Sequence, residues 1–275
     1  MPTRDFIHFK KYCKKALIEV DDNAFYRSSI RHKLIHSIRV LNFGQRIAEN
    51  TPIYNQRETQ ELRDVAKKTL LFHDVGRFEE AVLRCKAEKN NEYVKASSLK
   101  YNHCIIGHDV LSPDSAYNDK RILFAVRYHG CMIEEAYASD MWKNENSETT
   151  KEEMQHILFL VRDADKLENM DTIKNKDHLK KDVFYKQLTE EAKSASPSPI
   201  VLEQLFNKEV VKFSTVYSYA DRIIMVLSWF FDINYDASFN IAKEKGYKQH
   251  LLDDLANYNK DKSLQDKITE LLKDF

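Results

Sequence analysis

Thr69-Leu70-Leu71-Phe72-His73-Asp74-Val75-Gly76-Arg77-Phe78 (residues 69–78) is an apolar helical run that closes on a histidine beside an aspartate. Adjacent residues of an α-helix point about 100° apart, so such a pair cannot serve one centre from the middle of a regular helix. At a helix end it can, and Gly76 is expected to supply that ending. The pair offers an imidazole nitrogen and a hard carboxylate oxygen able to bridge two ions. Imidazole donors suit Mn, Fe, Co, Ni and Zn.

Further donors lie outward from this stretch, each in a helical, apolar setting. His36 stands in Leu34-Ile35-His36-Ser37-Ile38-Arg39-Val40, and His103 and His108 in Asn102-His103-Cys104-Ile105-Ile106-Gly107-His108. His129 closes Val126-Arg127-Tyr128-His129, and Asp163 and Asp165 lie in Val161-Arg162-Asp163-Ala164-Asp165-Lys166. One histidine on an apolar face is ordinarily a packing residue; a series of them flanking a His-Asp pair points to a metal centre. His8, His32, His156, His178 and His250 read as surface or packing residues.

The rest of the chain predicts an all-α fold. Five glycines and five prolines in 275 residues are too few for a protein built on tight β-hairpins. Phe6, Phe9, Cys13, Leu17 and Val20 recur at helical spacing, as do Leu34, Ile38 and Leu41 and then Leu62, Val65, Thr69 and Leu70. Ser112-Pro113 should end a helix, and Thr150 with Glu153 reads as a capping box that opens one. The polar stretch Ser194-Ala195-Ser196-Pro197-Ser198-Pro199 suggests a boundary between a metal-binding helical domain over 1–193 and a C-terminal helical extension over 200–275, packed on the core. Ile223–Phe231 is expected to be a buried core helix, or, if its apolar face is exposed, a homodimer contact.

Charge excludes other function classes. Lysine plus arginine (43) equals aspartate plus glutamate (43), so no global field favours nucleic acid or an acidic membrane. The four cysteines, Cys13, Cys85, Cys104 and Cys131, form no C-x-x-C pair and read as free thiols of a reducing compartment. The charged N-terminus and the lack of a long apolar run lead to the expectation of a cytoplasmic protein with no membrane span.

The order His36, His73-Asp74, Asp165 resembles that of the HD superfamily of metal-dependent phosphohydrolases. His36 in H-S-I-R-V is similar to the family's first histidine, His73-Asp74 in L-L-F-H-D-V-G-R-F to its namesake doublet, and Asp165 in V-R-D-A-D-K-L-E-N-M to its final aspartate. In the family the A-D-x-L element carries the ligand, which favours Asp165 over Asp163 and leaves Asp163 to orient a ligating imidazole. Two-metal members add histidines between doublet and final aspartate, where His103 and His129 stand. His103 with Gly107 resembles the family's H-x-x-x-G, which favours it over His108.

The resemblance implies an HD-domain helical bundle with additional C-terminal helices, holding one or two divalent ions (Mn, Fe, Co, Ni or Zn, with Mg as an alternative second ion). His73 and Asp74 would be the catalytic pair, and Arg77 and Lys166 the cations nearest a substrate phosphate. Guanosine-tetraphosphate hydrolases resemble A-D-K-L-E-N-M but carry an acidic pair where this chain has Gly76-Arg77-Phe78; cyclic-dinucleotide phosphodiesterases with a Gly-Tyr-Pro motif differ after His129-Gly130-Cys131. The chain is most similar to a bacterial branch described only as HD-domain proteins. The expected partner is a nucleotide or other small phosphorylated molecule rather than a nucleic-acid polymer, because no broad basic groove or stacking series is visible. Two alternatives share the ligands: a di-iron oxygenase of the HD type and a nucleotide-binding regulatory module.

Overall fold

The computed structural model describes residues 3–56, 59–92, 100, 102–175 and 183–275; His178 lies outside the described residues. Among these the regular structure is helical, with no strand. The chain divides into two units, Met1–Asp165 and Lys166–Phe275.

In the first unit, α1 (Arg4–Glu19) is opened by Thr3, whose side chain accepts a hydrogen bond from the Phe6 amide. Helix α2 (Ala24–Glu49) is capped in the same way by Asn23, and its buried stripe runs through Tyr26, Ile30, His36, Val40, Gly44 and Ile47. An imidazole thus lies in line with the apolar side chains that seat the helix. Helix α3 (Gln60–Phe72) buries Leu62, Val65, Ala66 and every residue from Thr69 to Phe72. It approaches α2 so closely that a Cβ on Gly44 would fall 2.3 Å from a Leu70 methyl carbon.

Helix α3 ends at Phe72 and α4 (Gly76–Lys89) begins at Gly76, so His73, Asp74 and Val75 form the turn between them. Three aromatic rings clamp this turn: Phe9 of α1 lies 5.3 Å from both Phe72 and Phe78, ring centre to ring centre. The helix ending is therefore present, but Gly76 does not provide it. Among the described residues the glycine with positive φ is Gly246, whereas Gly76 is the first residue of the next helix. Its lack of a side chain meets a different need, because a Cβ there would lie 2.0 Å from the His103 carbonyl oxygen and 2.5 Å from the Gly107 nitrogen. Gly76 and Gly107 let α4 touch the backbone of α5 (His103–Leu111).

Helix α6 (Lys120–Tyr128) is capped by Asp119 and buries Ile122 through Val126. Two short helices, α7 (Ile133–Ala138) and α8 (Asp140–Lys143), lead to α9 (Glu148–Lys174). That last helix opens earlier than its sequence suggests. Ser147 Oγ accepts from the Thr150 amide at 3.2 Å, and Glu153 accepts from Arg121 at 2.7 Å instead of reaching back to a cap.

The division between units falls inside α9. The proline-bearing stretch 194–199 lies within the second unit, which continues through α10 (Val183–Gln187), α11 (Glu190–Ser194), α12 (Pro199–Phe206), α13 (Tyr219–Ser228), α14 (Asp236–Glu244), α15 (Tyr247–Tyr258) and α16 (Lys262–Leu271). That stretch is pinned, since the buried Asp221 carboxylate accepts from the Ser198 amide at 2.6 Å and from its hydroxyl at 2.9 Å, while closing the capping box of α13 with Ser218. Ile223 through Ser228 are all buried. No helix among the described residues is long and apolar enough to cross a membrane.

Gly76→Ala should be costly out of proportion to one methyl group, because the atoms it meets are backbone. We expect a loss of at least about 1–3 kcal/mol, the usual range for overpacking a close contact. Chemical denaturation checks this; an unchanged midpoint would contradict the backbone contact between α4 and α5.

Candidate metal centre

Five elements of the first unit contribute to one cluster. His36 comes from the middle of α2, His73 and Asp74 from the turn after α3, His103 from the first position of α5, His129 from the C-terminal end of α6, and Asp165 from α9. Asn102 fixes the start of α5 by accepting from the Cys104 and Ile105 amides. Arg162 of α9 fixes the end of α6: its Nη1 donates to the carbonyls of His129, at 3.1 Å, and Cys131, at 2.5 Å. A cation at a helix C-terminus is also favoured by the helix dipole.

Asp74 is the hub. Its Oδ2 lies 3.5 Å from His36 Nε2 and 3.8 Å from His73 Nε2, and its Oδ1 lies 3.3 Å from His103 Nε2 and 3.6 Å from His129 Nε2. Asp165 Oδ1 closes the first side, 3.1 Å from His36 Nε2. The ligand atoms of His36, His73 and Asp165 lie within 4.8 Å of one another, as do those of His73, Asp74 and His129. The carboxylate thus faces two imidazoles from each oxygen, an arrangement suited to two cation positions bridged by Asp74.

Ring orientation supports metal binding independently. His73 Nδ1 lies 3.0 Å from the Leu70 carbonyl and His129 Nδ1 lies 2.9 Å from the Val126 carbonyl. A carbonyl only accepts, so each Nδ1 carries the hydrogen, and in the neutral ring Nε2 is left with its lone pair directed toward Asp74. His73 Nε2 has no hydrogen-bond partner although it is buried. Leaving such an atom unmatched in the interior is costly, and a cation between nitrogen and carboxylate removes that cost.

Burial and charge hold His73, His103 and the two carboxylates in ligating forms and push His129 toward its protonated form. Burial lowers the His73 pKa to about 4, against the raising influence of Asp74 and Asp165. The same desolvation, with Arg77, keeps His103 well below the ordinary histidine value. For His129 burial is outweighed by Cys104 and Asp74, which raise it. Burial would raise Asp74, but Lys33 and the surrounding histidines hold it well below the carboxylate range; Asp165 is likewise lowered, by its hydrogen bond with His36.

The floor of the cluster is sealed and its rim is open. The side chain of His73 is 0 % exposed and that of Asp74 4 %, whereas Asp165 is 28 % exposed and Lys33 24 %. Lys33, one turn before His36 on α2, places Nζ 2.9 Å from Asp74 Oδ2. Lysine three residues before His36 is a signal that helical spacing could have supplied, and the sequence reading passes over it. Arg77 donates to Glu80 at 2.9 Å and brings its Nε to 3.6 Å from Asp74 Oδ1. Lys166 belongs to the second unit, where its ammonium contacts the Asp232 carboxylate and carbonyl, each at 2.7 Å. His108 pairs with Asp109 at 2.9 Å, and Asp163 is fully buried.

The family model described as HD domain matches residues 34–170, a span that contains every member of the cluster. No curated protein and no solved structure matches the chain.

Substitution separates ligands from bystanders. His73→Ala and Asp74→Ala should each abolish stoichiometric binding of Mn or Co, measured by elemental analysis after dialysis, while His108→Ala should bind as the unsubstituted protein does. Metal lost with His108→Ala and retained with Asp74→Ala would contradict the assignment.

Proposed function

The chain belongs over residues 34–170 to the HD domain family, whose members are typically metal-dependent hydrolases, and from that premise we propose that it hydrolyses a phosphoester or phosphoanhydride of a nucleotide or other small phosphorylated molecule. The observation that carries this reading is the two-sided surround of Asp74. His36, His73 and Asp165 with Asp74 Oδ2 would hold one ion, and His103 and His129 with Asp74 Oδ1 a second. A divalent ion supplies Lewis acidity toward phosphoryl oxygens and lowers the pKa of water enough to furnish hydroxide near neutral pH.

The protein's own residues perform the remaining tasks. His73 and Asp74, the innermost donors, fix charge and orientation where water is excluded, so their electrostatic effect is little screened. Lys33 and Arg77 stand at the exposed side of Asp74 and are the cations placed to meet a phosphate entering there. Lys33 reaches Asp74 from a flexible stem, so modest rotation would carry its ammonium from the carboxylate to a phosphoryl oxygen. The balanced net charge favours a small anion over a polymer.

The six donors His36, His73, Asp74, His103, His129 and Asp165 would also suit a pair of irons that activate oxygen, a second reading supported by the same geometry. Ligand type does not choose between the chemistries, but products do. A phosphate-release screen over nucleotides and simple phosphoesters with added Mn, Co, Mg or Fe should show metal-dependent release. Bound iron with oxygen consumption and no phosphate release would replace hydrolysis by oxygenation, and metal-independent release would contradict the proposal.

Lys33→Ala tests the phosphate contact. Losing a charged hydrogen bond, worth about 1.5–3 kcal/mol, should lower kcat/KM by roughly tenfold to a hundredfold with metal content unchanged. Unaltered kcat/KM would assign Lys33 to charge compensation of Asp74 alone.

A further inference from the structure

Cys104 follows His103 at the start of α5, and its buried sulfur meets the imidazoles of His103 and His129. Sγ lies 3.3 Å from His103 Nε2 and 3.8 Å from His129 Nδ1. One ring nitrogen from each of His103 and His129 lies with the Cys104 sulfur within 4.8 Å of one another, and the Nδ1 that the sulfur approaches belongs to the ring whose Nε2 faces Asp74. Gly130 leaves room at the sulfur, since a Cβ there would come within 3.2 Å of Sγ. The other thiols are placed differently: Cys13 and Cys85 are buried in the core, and Cys131 donates to the Tyr128 carbonyl at 3.2 Å.

The 3.3 Å separation has a chemical consequence. Nitrogen and sulfur donors on one tetrahedral ion, with bonds of about 2.0–2.1 and 2.3 Å, stand roughly 3.3–3.8 Å apart. His103 Nε2 cannot accept a thiol hydrogen and bind an ion through the same lone pair. Once an ion takes that lone pair, the thiol hydrogen has lost its acceptor and faces a positive charge.

We propose that Cys104 is a ligand of the second cation position, completing a thiolate–imidazole–carboxylate set with His103, His129 and Asp74. On binding, the S–H bond breaks, a sulfur–metal bond forms and the proton passes to solvent, with no change of oxidation state. A soft thiolate draws thiophilic ions such as Zn, Co or Cd to that position in preference to Mn or Mg, while the all-nitrogen-and-oxygen set of His36, His73 and Asp165 has no such bias. The inference rests on the metal centre of the proposed function and adds a selectivity to one half of it.

Cobalt titration of the metal-free protein tests it without recourse to activity. Visible d–d absorption reports Co(II) bound by any donors, and a near-ultraviolet sulfur-to-cobalt charge-transfer band reports thiolate. The expected result is both signals in the unsubstituted chain, the charge-transfer band lost in Cys104→Ser and kept in Cys131→Ser. Zn affinity, by chelator competition, should fall at least roughly tenfold in Cys104→Ser, the scale on which even outer partners of metal ligands act, with Mn affinity little changed. Visible absorption without the charge-transfer band in the unsubstituted protein would overturn the inference and leave the metal centre standing. No cobalt absorption at all would overturn both, and a band that survives Cys104→Ser would overturn the role of this thiol. The spectrum of the unsubstituted protein decides even where a variant fails to fold.

Discussion

A carboxylate buried to within a few per cent of full enclosure is the constraint on which this structure turns. Moving an isolated charge such as that of Asp74 out of water is prohibitively costly, and the protein meets the cost by surrounding it with donors and cations. Lys33 and Arg77 approach it from the rim and four imidazoles from within. Burial keeps His73 and His103 neutral, so these two offer lone pairs more readily than protons, and the Nδ1 hydrogens of His73 and His129 are committed to the carbonyls behind them. Such a nest is incompletely satisfied by protein alone and well satisfied by divalent cations.

Everything nearby serves to hold that arrangement in place. The turn carrying His73 and Asp74 is held by its own backbone, the Val75 amide donating to the Phe72 carbonyl at 3.0 Å and the Arg77 amide to the Asp74 carbonyl at 2.9 Å, and by Phe9 packed on Phe72 and Phe78. The His103 end is held by backbone contact between α4 and α5, permitted by Gly76 and Gly107, and by the Asn102 cap. Arg162 ties the His129 end to α9, the helix that also carries Asp165. Misplacing one ligand by an ångström would cost far more in function than in stability, which explains why so much packing converges on a few side chains.

The helical class and the cluster were legible in the sequence for a definite reason. His36 and Asp165 lie within helices, and His73, His103 and His129 lie at the ends of apolar helical runs, so the donors stand out as polar residues where packing alone calls for apolar ones. What escaped the reading depends on contacts between segments. The sequence offers Gly76 as a helix terminator, whereas its need arises from the His103 carbonyl beyond it. Lys33 looks like one more exposed lysine until its distance to Asp74 is known. Lys166, adjacent to a ligand in the chain, has its ammonium held by Asp232, a partner 66 positions away. The Ser147 start of α9 is not marked by proline or glycine either.

The measurement that bears most directly on this account is anomalous X-ray scattering from crystals of the protein loaded with manganese or zinc, recorded at the absorption edge of the metal. The account predicts anomalous density beside the Asp74 carboxylate, at the His36–His73–Asp165 side and, when both positions fill, at the His103–His129 side. Fully loaded crystals with no anomalous density within coordination distance of Asp74, or with the ion bound elsewhere, would contradict it.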